Sequence, residues 1–387
     1  MNAPTVAVIG AGIGGLTAAI ALRAKGIDVE IYEAAPEPRA TGTALGIASN
    51  ATKVLRSLGV DLTTDAPCRA LEHFELRTDR GALIRKLPGA AITAELGHPF
   101  VSIRRNELIR TLRDAAGDVP IHYGAEVVGV GIERCGARAV CVNGADVRAG
   151  VLIGADGFGS AVRSIVAGEQ PPSEYGYVCW LATVHFSHPR MVPGYTGHYW
   201  GRGQRFGLVD IGGEMAYWWG TKNMPAARAR DWGGDKADIL AAFAGWAPEV
   251  IEVIERTPAD AIMSVPGQDR PFLKRWGRGP VTLLGDAAHP MLTSRSQGAG
   301  SAVEDGYVLA EALARIPDAV EGLRAYEDRR RRRAGMLVRS SRRLNKLEQV
   351  QNPAACAARN LGLRYVPMRS LTRQTTRPMR FDLGWSA

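Results

Sequence analysis

The chain has 387 residues, 46% hydrophobic and 22% charged, with a formal net charge of +9, proportions that fit a globular enzyme with a sizeable core and exclude a disordered or fibrous protein. No run approaches the ~20 apolar residues of a membrane span, and no basic-then-apolar leader precedes the first strand, so a cytoplasmic location without stable membrane insertion is expected. The five cysteines, Cys68, Cys135, Cys141, Cys179 and Cys356, have neither metal-ligand nor redox-pair spacing, so no metal site is expected and they read as small hydrophobes.

In chain order, Val6–Ile9 is a continuous apolar run, as a strand buried on both faces of a parallel sheet requires. Gly10, Gly12 and Gly15 follow in G-x-G-x-x-G spacing, with Gly14 beside the last. A helix is predicted over Leu16–Lys25, stopped by Gly26, and a second strand over Asp28–Tyr32, ending at Glu33, 18 positions after Gly15. Gly10 permits the tight turn, Gly12 the approach of a diphosphate, and Gly15 close packing of helix on strand. The helix N-terminus offers free N–H groups to the diphosphate, and Glu33 can accept from a ribose diol. The glycine spacing alone also describes an ordinary Gly-rich turn. Strand, helix, second strand and terminal acid in register decide for an adenine dinucleotide, NAD or FAD.

A loop carrying Arg39 comes next. A helix is predicted over Ala44–Leu58, closed at Gly59, and a hairpin over Leu71–Leu87 about Asp79-Arg80-Gly81. Val101–Arg105 leads into an amphipathic helix with Leu108, Ile109 and Leu112 on one face, and Ile121–Val142 reads as paired strands. Val151-Leu152-Ile153 is another buried strand, ending in Gly154-Ala155-Asp156-Gly157. From 175 to 265 the character changes: six of the eight tryptophans fall between Trp180 and Trp246, pointing to a separate antiparallel sheet. Val281–Leu284 returns to the buried-strand pattern and feeds Gly285-Asp286. A helix is predicted over Ser301–Leu313, then further helices to a basic C-terminus. The run Arg329–Arg333 follows a helical context without interleaved aromatics, so it reads as a solvated helix face that draws in anionic dinucleotides, not as a nucleic-acid surface.

Gly154-Ala155-Asp156-Gly157 with Arg163, Gly285-Asp286-Ala287-Ala288-His289-Pro290-Met291 before Gln297-Gly298-Ala299-Gly300, Arg105-Asn106-Glu107-Leu108 and Asp269-Arg270-Pro271, together with the first Gly-rich turn, resemble the single-component FAD-dependent aromatic hydroxylases, the group A flavoprotein monooxygenases. The short salicylate-, 3-hydroxybenzoate- and urate-hydroxylase-like and zeaxanthin-epoxidase-like members are most similar in size. The resemblance spans nearly the whole chain. It implies an α/β fold: a Rossmann-like FAD-binding domain from 1–70, 98–174 and 266–330, an inserted mixed or antiparallel substrate sheet from 71–97 and 175–265, and a C-terminal helical segment from 331–387. It implies non-covalent FAD, NADPH or NADH as co-substrate, O2, and insertion of one oxygen atom into an aromatic or electron-rich small molecule through a flavin C4a-hydroperoxide.

The cofactor residues implied are Gly10, Gly12, Gly14, Gly15, Glu33, Arg39, Arg105, Asp156, Arg163, Asp286, Gly298, Ala299 and Gly300. Asp286 is expected on a sugar-alcohol hydroxyl, Arg163 as an anion partner, and the Gly298–Gly300 helix start to stabilise the reduced flavin. His289 is structural in the family. Tyr217, Arg205, His198 and Asp210 lie on the inserted sheet, where the family places its substrate. The family's Pro-Pro-Asn-x-Gly after His-Pro-Met is here Leu292-Thr293-Ser294-Arg295-Ser296, so a cation stands near the expected site. Either Arg295 meets an anionic substrate group or it turns to solvent. A flavin dehydrogenase, oxidase or reductase, or a silent FAD-binding protein acting through its basic tail, remain as alternatives, and the chain is read as monomer or homodimer.

Overall fold

The computed structural model describes residues 5–38 and 42–384. Val6–Ile9 is the central strand of a five-stranded sheet in the order Val281–Leu283, Val151–Gly154, Val6–Ile9, Val29–Glu33, Ile121–Tyr123, parallel throughout. All four residues of Val6–Ile9 and of Val151–Gly154 are buried, because helices cover one face and a three-stranded meander, Val127–Glu133, Gly136–Cys141 and Asp146–Ala149, contacts the other. Helix Ile13–Ala24 packs against both Arg105–Ala116 and Gly298–Arg315. It starts at Ile13, earlier than expected, and ends before Gly26, whose φ of 72° closes it.

The predicted helix over Ala44–Leu58 is divided. Ala44–Ile47 is a strand and only Ser49–Ser57 is helical. Pairing with Val101–Arg104 overrides local preference, and Gly46 lies so close to Phe100 that a Cβ would stand 2.6 Å from its ring.

The second sheet has seven strands, in the order Met263–Asp269, Ser173–His185, Met215–Asn223, Gln204–Asp210, Tyr195–Trp200, His73–Thr78, Leu83–Pro88. Its two-residue period separates two faces. Trp180, Trp218 and Phe206 turn to a core with Phe243, Val250 and Val253 of the flanking helices. Cys179, Tyr217, Trp219 and Arg205 occupy the opposite face, Gly207 opposite Trp219 leaving room for its indole. Helix Ala319–Glu348 then runs for 30 residues, from the parallel sheet to this second face.

That helix corrects the reading of Arg329–Arg333 as a solvated face. Arg330 is 1% exposed; it reaches Glu304 at 2.6 Å and Asp305 at 2.5 Å, while Arg333 meets Glu304 at 2.6 Å. Two carboxylates buried on Gly298–Arg315 demand counter-charges, and the helical repeat delivers Arg330 and Arg333 to one side. Arg332 stays exposed and Arg331 pairs with exposed Asp328.

Candidate active site

The Gly-rich turn divides its duties by sterics. At Gly10 the φ of +110° excludes ordinary residues, and a Cβ on Gly15 would stand 1.9 Å from Gly10 O, so helix and turn touch backbone to backbone. A Cβ on Gly14 would strike the Leu284 side chain at 2.5 Å, whereas one on Gly12 meets nothing within 4 Å. Gly12 therefore faces open space at a helix start whose first bond is Leu16 N–H to Gly12 O (2.9 Å). Glu33 accepts from the N–H groups of Ala11 (2.7 Å) and Ala35 (2.9 Å), fixing turn and carboxylate together.

A second helix start lies beside this turn, a Cβ on Gly14 standing 3.2 Å from Ala302. In Gly298–Arg315 the first bond runs from Ser301 N–H to Gln297 O (2.8 Å), which leaves the N–H groups of Gly298, Ala299 and Gly300 for a ligand. Asn50 Nδ2 donates to Gln297 Oε1 (3.1 Å) and Glu304 Oε1 (2.6 Å), holding that end in place. Asp286, at the end of strand Val281–Leu283, makes no hydrogen bond or ion pair with the described residues. It is reached by solvent yet hemmed in by protein, and its carboxyl is pushed up by desolvation, against the pull of His289 and Arg105. A carboxylate without a partner, two helix starts with unused N–H groups and a side-chain-free approach at Gly12 suit a ligand rich in phosphate and hydroxyl groups. FAD fits this set.

The opposing wall is the second sheet. Arg205, 2% exposed, pairs with buried Glu348 from the end of the long helix and stacks over Trp219 at 4.7 Å. His198 stacks on Phe74 (4.7 Å) and meets the Trp219 edge (5.3 Å); burial and the Arg205 charge push its pKa down to about 3, so it is neutral. Burial pushes the Cys179 thiol up to about 11 and lifts the Tyr217 phenol well above its ordinary value. Arg295 is half-buried, its pKa lowered by burial against the attraction of Glu348. The Nε atoms of Arg205 and Arg295 are both buried without a partner.

A family model described as "FAD binding domain" matches residues 3–341. The chain is 34% identical over 377 residues to an aurachin C monooxygenase/isomerase of Stigmatella aurantiaca, covering 97% of this chain and 98% of that protein. It is 32% identical over 340 residues to an FAD-dependent urate hydroxylase of Klebsiella pneumoniae, covering 87% and 88% of the two chains. The crystal structure of Klebsiella pneumoniae HpxO complexed with FAD and uric acid superposes with a TM-score of 0.90 at 27% identity, over 97% of this chain and 96% of that one. The chain belongs to the group A flavin monooxygenases.

Within this family frame, the residues expected on the cofactor separate. The turn and the Gly298–Arg315 helix lie side by side, a Cβ on Gly14 standing 3.2 Å from Ala302 and one on Gly298 3.9 Å from Asp286 Oδ1, and Arg105 acts electrostatically on Asp286. Arg39 lies outside the described residues. Asp156 accepts from the Ser160 hydroxyl (2.5 Å) and Val162 N–H (3.1 Å), one bond on each oxygen, both from its own helix start.

Arg163, expected as an anion partner, is engaged by main-chain acceptors. At 2% exposure it donates to Ala287 O and Ala288 O (both 3.0 Å), Pro271 O (2.6 Å) and Gln170 Oε1 (3.2 Å). The guanidinium ties the Asp286 loop to the Asp269-Arg270-Pro271 stretch through both terminal nitrogens, leaving only its buried Nε without a partner. Burial and the neighbouring Arg270 charge lower its pKa to about 10.

Asp210 is likewise engaged, accepting from Gly194 and Gly212 N–H (both 2.8 Å) and pairing with Arg69 at 3.1 Å. His289, buried, meets Asp305 at 2.6 Å, and Asp305 also accepts from Gly285 N–H (2.9 Å). Nothing in the sequence singles out Glu348. It stands 143 positions from Arg205, and an acid closing a long basic helix carries no local mark of burial.

Proposed function

We propose that the chain oxygenates a small aromatic or otherwise electron-rich molecule, with O2 and NADH or NADPH as co-substrates, between the seven-stranded sheet and the start of helix Gly298–Arg315. The observation that carries this reading is the pairing of an unpartnered carboxylate and free helix N–H groups on one side with buried Arg205 and half-buried Arg295, each with an unpartnered Nε, on the other. When bound, FAD supplies hydride acceptance and oxygen activation. The chain's residues bind, orient and exclude water.

Gly298, Ala299 and Gly300 aim N–H groups and the helix dipole at negative charge on the reduced cofactor. Asp286 accepts from a cofactor hydroxyl. On the substrate side, Tyr217 keeps its proton across the physiological range and so can donate to a substrate oxygen. His198 stays neutral and adds no charge. Arg205 is neutralised by Glu348, so Arg295 supplies the net cation, matching a carboxylate or phenolate. Relatives named for urate and aurachin C support an oxygenated ring as substrate class and do not favour a dehydrogenase or oxidase.

The test is a screen of heteroaromatic acids and their neutral counterparts with purified FAD-loaded protein, following NAD(P)H consumption and product mass under isotopically labelled O2. Substrate-dependent consumption with one labelled oxygen in the product is expected. Oxidised product without label would replace this reading with a dehydrogenase or oxidase. Asp286→Ala should yield largely colourless protein, and full FAD retention there would remove Asp286 from the cofactor site.

A further inference from the structure

Beyond the long helix, Pro353–Tyr365 and Met368–Thr376 leave apolar and basic side chains together at the surface. Leu361 is 59%, Tyr365 73% and Met368 36% exposed. Leu361, Arg364 and Tyr365 share one helix face by their i, i+3, i+4 spacing. Leu83, 43% exposed on the edge strand, adjoins them, since Arg364 donates to Leu83 O (3.2 Å) and Arg85 to Val366 O (3.0 Å).

Arg369, Arg373 and Arg377 follow at i, i+4, i+8 on the next helix and just past its end, lining a groove of roughly 420 Å³ with Ser370 and Gln374. Among the described residues, none of these three guanidinium groups has an ion-pair or hydrogen-bond partner. From Gln351 to Gly384 six arginines stand against one acid, Asp382.

We propose that this face docks peripherally on an anionic bilayer, with the arginines at the phosphate level and Leu361, Tyr365 and Met368 at the acyl boundary. Unpaired cations beside protruding aliphatic side chains and one tyrosine have the chemistry of an interfacial helix pair. A nucleic-acid surface would interleave several aromatics for stacking. No described helix is long and apolar enough to cross a membrane, so the attachment is to the surface. Only Gln349–Asn352 separates the first of these helices from Glu348 along the chain.

The experiment is co-sedimentation of the full-length FAD-loaded protein with phosphatidylcholine vesicles, with and without phosphatidylglycerol. Binding to the anionic vesicles alone, weakened by salt, is expected. With each surface cation worth a factor of about five, the triple variant Arg369→Gln/Arg373→Gln/Arg377→Gln should lower partitioning about a hundredfold. Leu361→Ser/Tyr365→Ser should lower it about tenfold or more. Both variants should keep wild-type FAD content and circular dichroism. Any of four results would overturn the proposal: no binding to anionic vesicles, equal binding to neutral ones, an unaffected triple variant, or full competition by inorganic phosphate at matched ionic strength. So would light scattering that shows the same substitutions dissociating a dimer, which would give the face to a second copy of this chain.

Discussion

Replacing Arg163 with Met separates two roles that a buried arginine can play. The substitution keeps the aliphatic stem and removes the cation, so it leaves three buried carbonyls, Ala287 O, Ala288 O and Pro271 O, without their donor. A bare buried acceptor costs about 1–3 kcal/mol, partly offset because a buried guanidinium no longer has to be desolvated. A net loss of about 3–5 kcal/mol is expected. For 387 residues, an unfolding entropy of about 2.1 cal/mol/K per residue gives about 0.8 kcal/mol/K. Melting should therefore fall by about 4–6 °C. The assay is a thermal melt of FAD-saturated protein beside steady-state KM for NADH and NADPH. A clamp predicts the lowered Tm, some loss of FAD through loosening of the Asp286 loop, and an unchanged KM for the reductant. An unchanged Tm with a tenfold rise in that KM would refute the clamp and restore an anion partner.

Gly12→Ala should fold normally, since its Cβ meets nothing within 4 Å, but should weaken FAD by tenfold or more, about 1.4 kcal/mol, whereas Gly15→Ala, with a Cβ 1.9 Å from Gly10 O, should give little soluble protein; equal FAD affinity in Gly12→Ala would contradict the diphosphate path. The Asp305 carboxyl is opposed by burial but held down to about 2 by His289 and Arg330, so its stabilisation is complete above the ordinary carboxylate pKa and disappears as pH falls through about 4 to 2; acid melts of wild type and Asp305→Asn should converge there, and parallel curves would refute the linkage. Arg295→Leu should raise substrate KM by tenfold or more, about 1.4 kcal/mol, with FAD retained, while Glu348→Gln, which frees the Arg205 charge, should tighten anionic ligands relative to neutral ones; wild-type KM in Arg295→Leu would make that residue a bystander.

What could be read from the chain and what could not follow a physical division. The turn Gly10–Gly15 and Glu33 are legible because each constraint is local: a positive φ, a backbone contact, an acid at a strand end. The strands Val6–Ile9, Val151–Gly154 and Val281–Leu283 are legible because burial on both faces forces unbroken apolar runs. Ala44–Ile47 is not, since its extended form comes from a partner strand at Val101–Arg104 and its own Ala-Leu-Gly-Ile carries no period. Charged side chains mislead most. Arg163 and Arg330 read as anion partner and solvated surface, yet both are buried to satisfy groups more than 20 positions away. Glu348 shows the limit: its burial depends on Arg205, supplied by a strand in the other half of the molecule.

The helix Ala319–Glu348 is one unbroken rod of 30 residues, about 45 Å long at 1.5 Å per residue. Arg330 and Arg333 bolt it to Glu304 and Asp305, Arg342 pins it again to Asp269, and Glu348 at its end pairs with Arg205. From Arg330 to Glu348 the lever arm is about 27 Å, so a tilt of about one degree at the bolts carries the tip by about 0.5 Å, the tolerance within which a site group must be held to function. Stiffness at the bolts thus sets the aim of the tip. A loosened Glu304, Asp305 or Asp269 would be felt as a displaced Glu348, far along the rod from the change.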